Sequence, residues 1–129
     1  MYSEIGTVAI SDRRIVSIYD GTVANQIWQA TSTGSTSTFQ VYTNNAFVVQ
    51  INSTSNSSGK SAAGYKVNDF AASVNGGTVS TDTSGAIPVV DRLAFGVNTA
   101  GIGALNSTIK KLAYYPKRLS NTELQAITS

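Results

Sequence analysis

Along most of the chain, apolar and polar residues alternate one by one. That is the period of a strand with one face on a core and the other toward solvent. The pattern is plainest in two neighbouring runs. Phe39, Val41 and Thr43 alternate with Gln40, Tyr42 and Asn44, and beyond Asn44-Asn45, Phe47, Val49 and Ile51 alternate with Val48, Gln50 and Asn52. Further on, Phe70, Ala72 and Val74 share one face, with Ala71 and Ser73 on the other. Asn75-Gly76-Gly77 then supplies residues that tolerate the positive φ of a type I′ turn, and residues 78–81 return as a partner strand rich in β-branched side chains. A β-hairpin is predicted there.

The remaining stretches fall in around these. Residues 1–10 read as extended, with Ile5, Val8 and Ile10 inward, and their abrupt start points to a first strand partly cut from a longer protein. Residues 13–19 form a strand closed by the Asp20-Gly21 turn signal, and 24–31 a strand with Ile27 on one side and Gln26, Trp28 and Ala30 on the other. Polar loops are expected over 32–37 and 52–61. After the Ser84-Gly85 and Pro88 loop comes a strand over 89–97 with Leu93, Phe95 and Val97 inward. Residues 99–106 are Gly-rich and irregular, and a last strand over 108–115, apolar on both faces apart from Lys110 and Lys111, reads as covered on each side. One helix is predicted, over 120–127: Ser120 and Glu123 make a capping box, and Leu119, Leu124 and Ile127 an apolar stripe. Eight to ten short strands with regular turns predict an all-β, antiparallel two-sheet β-sandwich with a short C-terminal helix.

Composition sharpens this picture. A chain of 129 residues closes one core, and its 12% charged residues fall well below the usual ~25%. Ser, Thr, Asn and Gly take their place, as suits strands with hydroxyl-lined outer faces. The net charge of +2 is too small for a nucleic-acid partner. Without cysteine there is neither a disulfide framework nor thiolate chemistry, and without histidine the commonest general base and metal ligand are missing. No apolar run approaches the ~18 residues of a membrane span, so no membrane partner is expected, and the first residues lack the form of a signal peptide.

Among the strand residues, Trp28 and Tyr42 with Gln26, Gln40 and Asn44 form a candidate carbohydrate site on adjacent polar faces. Aromatic faces stack on sugar C–H surfaces, and planar amides take paired hydroxyls. The competing reading makes Trp28 the large residue of the sandwich core and Tyr42 an ordinary strand tyrosine. Asp12, Asp20, Asp69, Asp82 and Asp91 all lie at turns, where Asp bonds its own backbone. Their spacing gives no support for a calcium site, and no cofactor is expected. Arg13, Arg14 and Arg92 sit at strand ends, and Lys110, Lys111, Lys117 and Arg118 read as a solvated strand edge.

The runs YKVNDFAASVNGGTVSTDTSGAIPVVDRLAFG and IKKLAYYPKRLSNTELQAI, with RIVSIYDGTVANQI before them, resemble the concanavalin A-like (laminin-G-like) jelly-roll domains of bacteriophage tail-fibre and other virion proteins. The resemblance covers somewhat over half the chain. It implies a jelly roll within a virion, one domain of a longer tail protein, recognising host-surface glycan without catalysis. It also implies contacts with other virion proteins and a possible homo-oligomer. Two alternatives stay open: a purely structural virion domain, and a glycoside hydrolase of the same fold. For the latter the paired acidic residues of such glucanases find no match, since Glu4 and Glu123 stand near opposite termini.

Overall fold

The computed structural model describes residues 1–5, 13–32, 36–54, 59–98, 101 and 104–129, with the side chains of Ile5, Ser32 and Thr54 undescribed. Among the described residues are ten strands and one helix. In chain order these are β1 (Tyr2–Ile5), β2 (Arg13–Tyr19), β3 (Gln26–Ser32), β4 (Thr36–Thr43), β5 (Ala46–Thr54), β6 (Gly59–Lys66), β7 (Asp69–Val74), β8 (Ser80–Asp82), β9 (Arg92–Phe95), β10 (Ile109–Ala113) and α1 (Asn121–Thr128). All pairings are antiparallel, in two five-stranded sheets of order β10-β1-β6-β7-β8 and β5-β4-β3-β2-β9. The predicted antiparallel β-sandwich is the fold of the protein.

The two sheets meet over a main core and a smaller cluster of Ile15, Leu105 and Ile109. Ile27, Phe39, Val41, Val49 and Ile51 of one sheet pack on Ala63, Phe70 and Ala72 of the other. Their alternation is the period-two pattern of the sequence, with the interleaved residues turned outward. At one end of this interface the packing turns polar: the buried Ser3 hydroxyl lies 2.9 Å from that of Ser61 and donates to Gln29 Oε1 at 3.4 Å. The β4–β5 hairpin turns on Asn44 (φ 52°) and Asn45 (φ 61°), both in the left-handed region that asparagine tolerates.

The outer face of the β1-β6-β7 sheet is closed. Leu124 of α1 packs on Tyr2, Ala62 and Ala71, with Leu119 and Ile127 beside it. The floor must be small for a helix to approach this closely; a Cβ on Gly64 would lie 3.3 Å from Leu124 Cδ1. The predicted capping box is present, since Ser120 Oγ accepts from Glu123 N while Glu123 accepts from the Ser120 backbone. Arg118, only 11% exposed, anchors the approach to the helix by a 2.8 Å ion pair with Asp69. It is therefore a structural cation and not part of a solvated edge.

Several expectations give way to tertiary packing. Strand β6 lies partly in the stretch read as a polar loop, because Ala62, Ala63 and Gly64 carry no alternation: both of their faces are buried. β3, β4 and β5 likewise run into the expected loops. The Asn75-Gly76 turn forms, with Gly77 N donating to Val74 O at 2.9 Å, but β8 pairs only from Ser80. In β9, Leu93 and Phe95 are about half exposed, at 52% and 51%. β10 is an edge strand hydrogen-bonded to β1 alone, with Lys110 and Lys111 exposed, so it is not covered on each side. Val8, Ile10 and Asp12 lie outside the described residues.

Candidate functional site

With α1 over one sheet, the outer face of β5-β4-β3-β2 is the open broad face among the described residues. Register decides which side chains share it. Ser17, Trp28 and Gln40 stand in one row across β2, β3 and β4, and Gln50 of β5 extends it. Tyr19, Gln26, Tyr42 and Phe47 form the next row. Phe47 belongs there because the β4–β5 register shifts between Val41 and Tyr42. Simple alternation had put Phe47 inward with Val49; the irregularity turns it out, 50% exposed, edge-on to Tyr42 at 5.4 Å between ring centroids.

Trp28 is therefore a half-buried residue of the outer face and not a core residue between the sheets. Its ring is covered by Arg14, whose guanidinium carbon sits 4.4 Å above the ring centroid. Arg14 Nη1 donates to Gln26 Oε1 at 2.6 Å, and Gln26 Nε2 donates to Val23 O at 2.8 Å, which fixes the amide. Burial lowers the pKa of Arg14 from its ordinary value, and the nearby Tyr42 acts in the opposite sense. A guanidinium stays charged under either influence. No carboxylate among the described residues is ion-paired with it.

Of the five residues read from the sequence, Gln26, Trp28 and Tyr42 thus come together around Arg14. Gln40 lies beside Trp28, its Nε2 donating to Gln50 Oε1 at 3.1 Å, and Thr38 Oγ1 donates to Asn52 Oδ1 at 3.0 Å in the adjoining row. Asn44 is at the rim, in the turn, where its backbone N–H donates to Asn25 Oδ1 at 2.9 Å. Arg14 had been read only as a strand-end charge. The register shift between Arg14 and Val16 carries it over Trp28, and no local signal marks that.

The acidic residues serve local structure. Hydrogen bonds from the Thr22 hydroxyl and the Asn25 amide hold the Asp20 carboxyl below its ordinary pKa. Asp82 accepts from Ser84, Asp69 from Arg118, and Asp91 lies 3.5 Å from Arg92 Nε. Among the described residues no three His, Cys, Asp or Glu side chains converge on a metal position, and no helix is long and apolar enough to cross a membrane.

The sequence matches no protein-family model and no curated protein sequence. The fold does have solved counterparts. The CBM40 of the Ruminococcus gnavus IT-sialidase, bound to α2,3 sialyllactose, superimposes with a TM-score of 0.81 at 18% identity, over 99% of this chain and 80% of that one. The same CBM40 bound to α2,6 sialyllactose gives 0.78 at 15% identity, over 99% and 81%. At such identity the likeness is one of fold.

Proposed function

We propose that the outer face of β2–β5 is a non-catalytic, lectin-like binding site for an acidic oligosaccharide. The observation that carries the reading is the Arg14 guanidinium, seated on Trp28 and braced by Gln26 with no ion-paired carboxylate among the described residues. A fork of donors held in this way suits a sugar carboxylate. Tyr42 and Phe47 offer apolar ring surface beside it, and Gln40, Gln50 and Asn52 offer amides for hydroxyls. The counterparts named as bound to sialyllactose support the acidic sugar as the ligand class. The scatter of the described carboxylates supports the absence of catalysis: Asp20 and Asp82 serve turns, Glu123 the helix cap and Asp69 the ion pair with Arg118, while Glu4 lies in β1. The resemblance to tail-fibre domains supports a setting in a bacteriophage virion, with a host-surface glycan as the target and other virion proteins as neighbours.

Calorimetric titration with sialyllactose and with neutral lactose tests the reading. Sialyllactose should bind with a dissociation constant of millimolar or below, and lactose at least tenfold more weakly. Arg14→Gln should abolish that preference while the circular dichroism spectrum is retained. Absence of binding to either sugar, and to a panel of bacterial acidic polysaccharides, would leave the structural virion domain as the better account.

A further inference from the structure

The sandwich is not closed along its full width. The main inter-sheet core joins β3, β4 and β5 to β6 and β7, and a smaller cluster packs Ile15 of β2 with Leu105 and Ile109 of β10; between the two lies a cleft of about 520 Å³. Its walls are apolar: Val16 and Ile18 of β2, Ile27 of β3, Leu93 of β9 and Leu112 of β10, with Ile87 from the loop before β9. Leu93 pairs with Ile18 and faces the other sheet, yet remains 52% exposed, and no described residue fills the space before it. Polar groups are few: the exposed Asp91–Arg92 pair, the Tyr65 hydroxyl, which is hydrogen-bonded to Tyr114, and Met1, whose amino group donates to Ala63 O at 2.6 Å.

We propose that this cleft binds a single apolar, ring-sized small molecule. The volume lies within the range of small-molecule sites and is too small for a helix or a folded partner. An apolar lining with a few polar groups is the chemistry of such a site. It is separate from the carbohydrate face. Val16, Ile18 and Leu93 point between the sheets, while Ser17 and Tyr19 point outward toward the row of Trp28 and Gln26. One sheet thus presents an apolar ligand site on one side and a polar one on the other, and neither depends on the other being correct.

The test is a fluorescence titration of the full chain with the uncharged probe N-phenylnaphthylamine. Saturable enhancement at one probe per chain is expected. Leu93→Trp, which fills the cleft, should weaken binding at least tenfold, whereas Val67→Ser at an exposed turn and Arg14→Gln on the opposite face should leave it within twofold. Methyl proton–carbon NMR of the unsubstituted protein guards against a variant that fails to fold: the probe should move the Val16, Ile18, Ile27, Leu93 and Leu112 signals. No saturable enhancement, methyl shifts confined to other residues, or a folded Leu93→Trp variant that binds unchanged would each overturn the assignment. So would a mass that doubles with concentration and protects these methyls, since a second copy would then cover the cleft.

Discussion

Replacing Leu124 by Ala tests the packing that leaves only one broad face open. Leu124 is 1% exposed and is the fully buried apolar residue of α1 in the cluster with Tyr2, Ala62 and Ala71, with Ile127 packed beside it. The substitution removes three carbons, about 2.4 kcal/mol at ~0.8 kcal/mol per buried methylene. A cavity term adds to this, because the floor of Ala62, Ala71 and Gly64 is close to bare backbone and cannot itself fill the void, though the neighbouring Arg118, Leu119 and Ile127 side chains limit it. The total should be about 3–4 kcal/mol, within the usual span for Leu→Ala. An eight-residue helix cannot persist undocked, so part of the loss should be local release of α1 ahead of global unfolding. Urea denaturation followed by far-UV circular dichroism gives the global change, and native-state hydrogen exchange of the amides of Asn121–Thr128 gives the local one. A loss below about 1 kcal/mol, with helix amides still protected, would refute this account of the docking. Sialyllactose affinity should stay within twofold wherever the variant is folded, because the proposed carbohydrate face lies on the other sheet.

Gly85 has φ 144°, and a Cβ there would meet Val49 Cγ2 at 2.9 Å and the Phe70 ring at 3.0 Å; Gly85→Ala should cost about 2 kcal/mol or more in urea midpoint analysis. Arg14→Lys keeps the charge but not the planar fork over Trp28, so sialyllactose affinity should fall about tenfold by calorimetry without full loss of the preference over lactose. In the chain beginning at Met1, burial lowers the pKa of the amino group from 8.0 to about 6. A base with a depressed folded pKa binds fewer protons when folded, so stability should rise with pH between about 6 and 8, by at most ~2.7 kcal/mol. Thermal melts across that window should show the rise, and blocking the amine by acetylation should flatten it. Ser120→Ala removes the hydroxyl half of the capping box, leaving the backbone N–H to Glu123, and should cost about 1 kcal/mol in urea denaturation.

By itself the sequence determined the fold class, the hairpin turns at Asn44-Asn45 and Asn75-Gly76, the capped helix, and three side chains that lie together on one outer sheet face. Each is a local matter. Period-two alternation sets which face of a strand is buried, asparagine and glycine permit positive φ, and a capping box spans one turn. Tertiary structure decided the rest. β6 was illegible because a strand buried on both faces beneath a helix selects small residues such as Ala62 and Gly64, which carry no alternation. Phe47 was misplaced, and the seat of the strand-end Arg14 over Trp28 was missed, because register irregularities, set by pairing with a neighbouring strand, move a side chain across the sheet or over another residue. Leu93 alternates as a core residue should, but whether a core lies before it depends on how the two sheets close. That closure comes from residues far apart in the chain, and no window of sequence contains it.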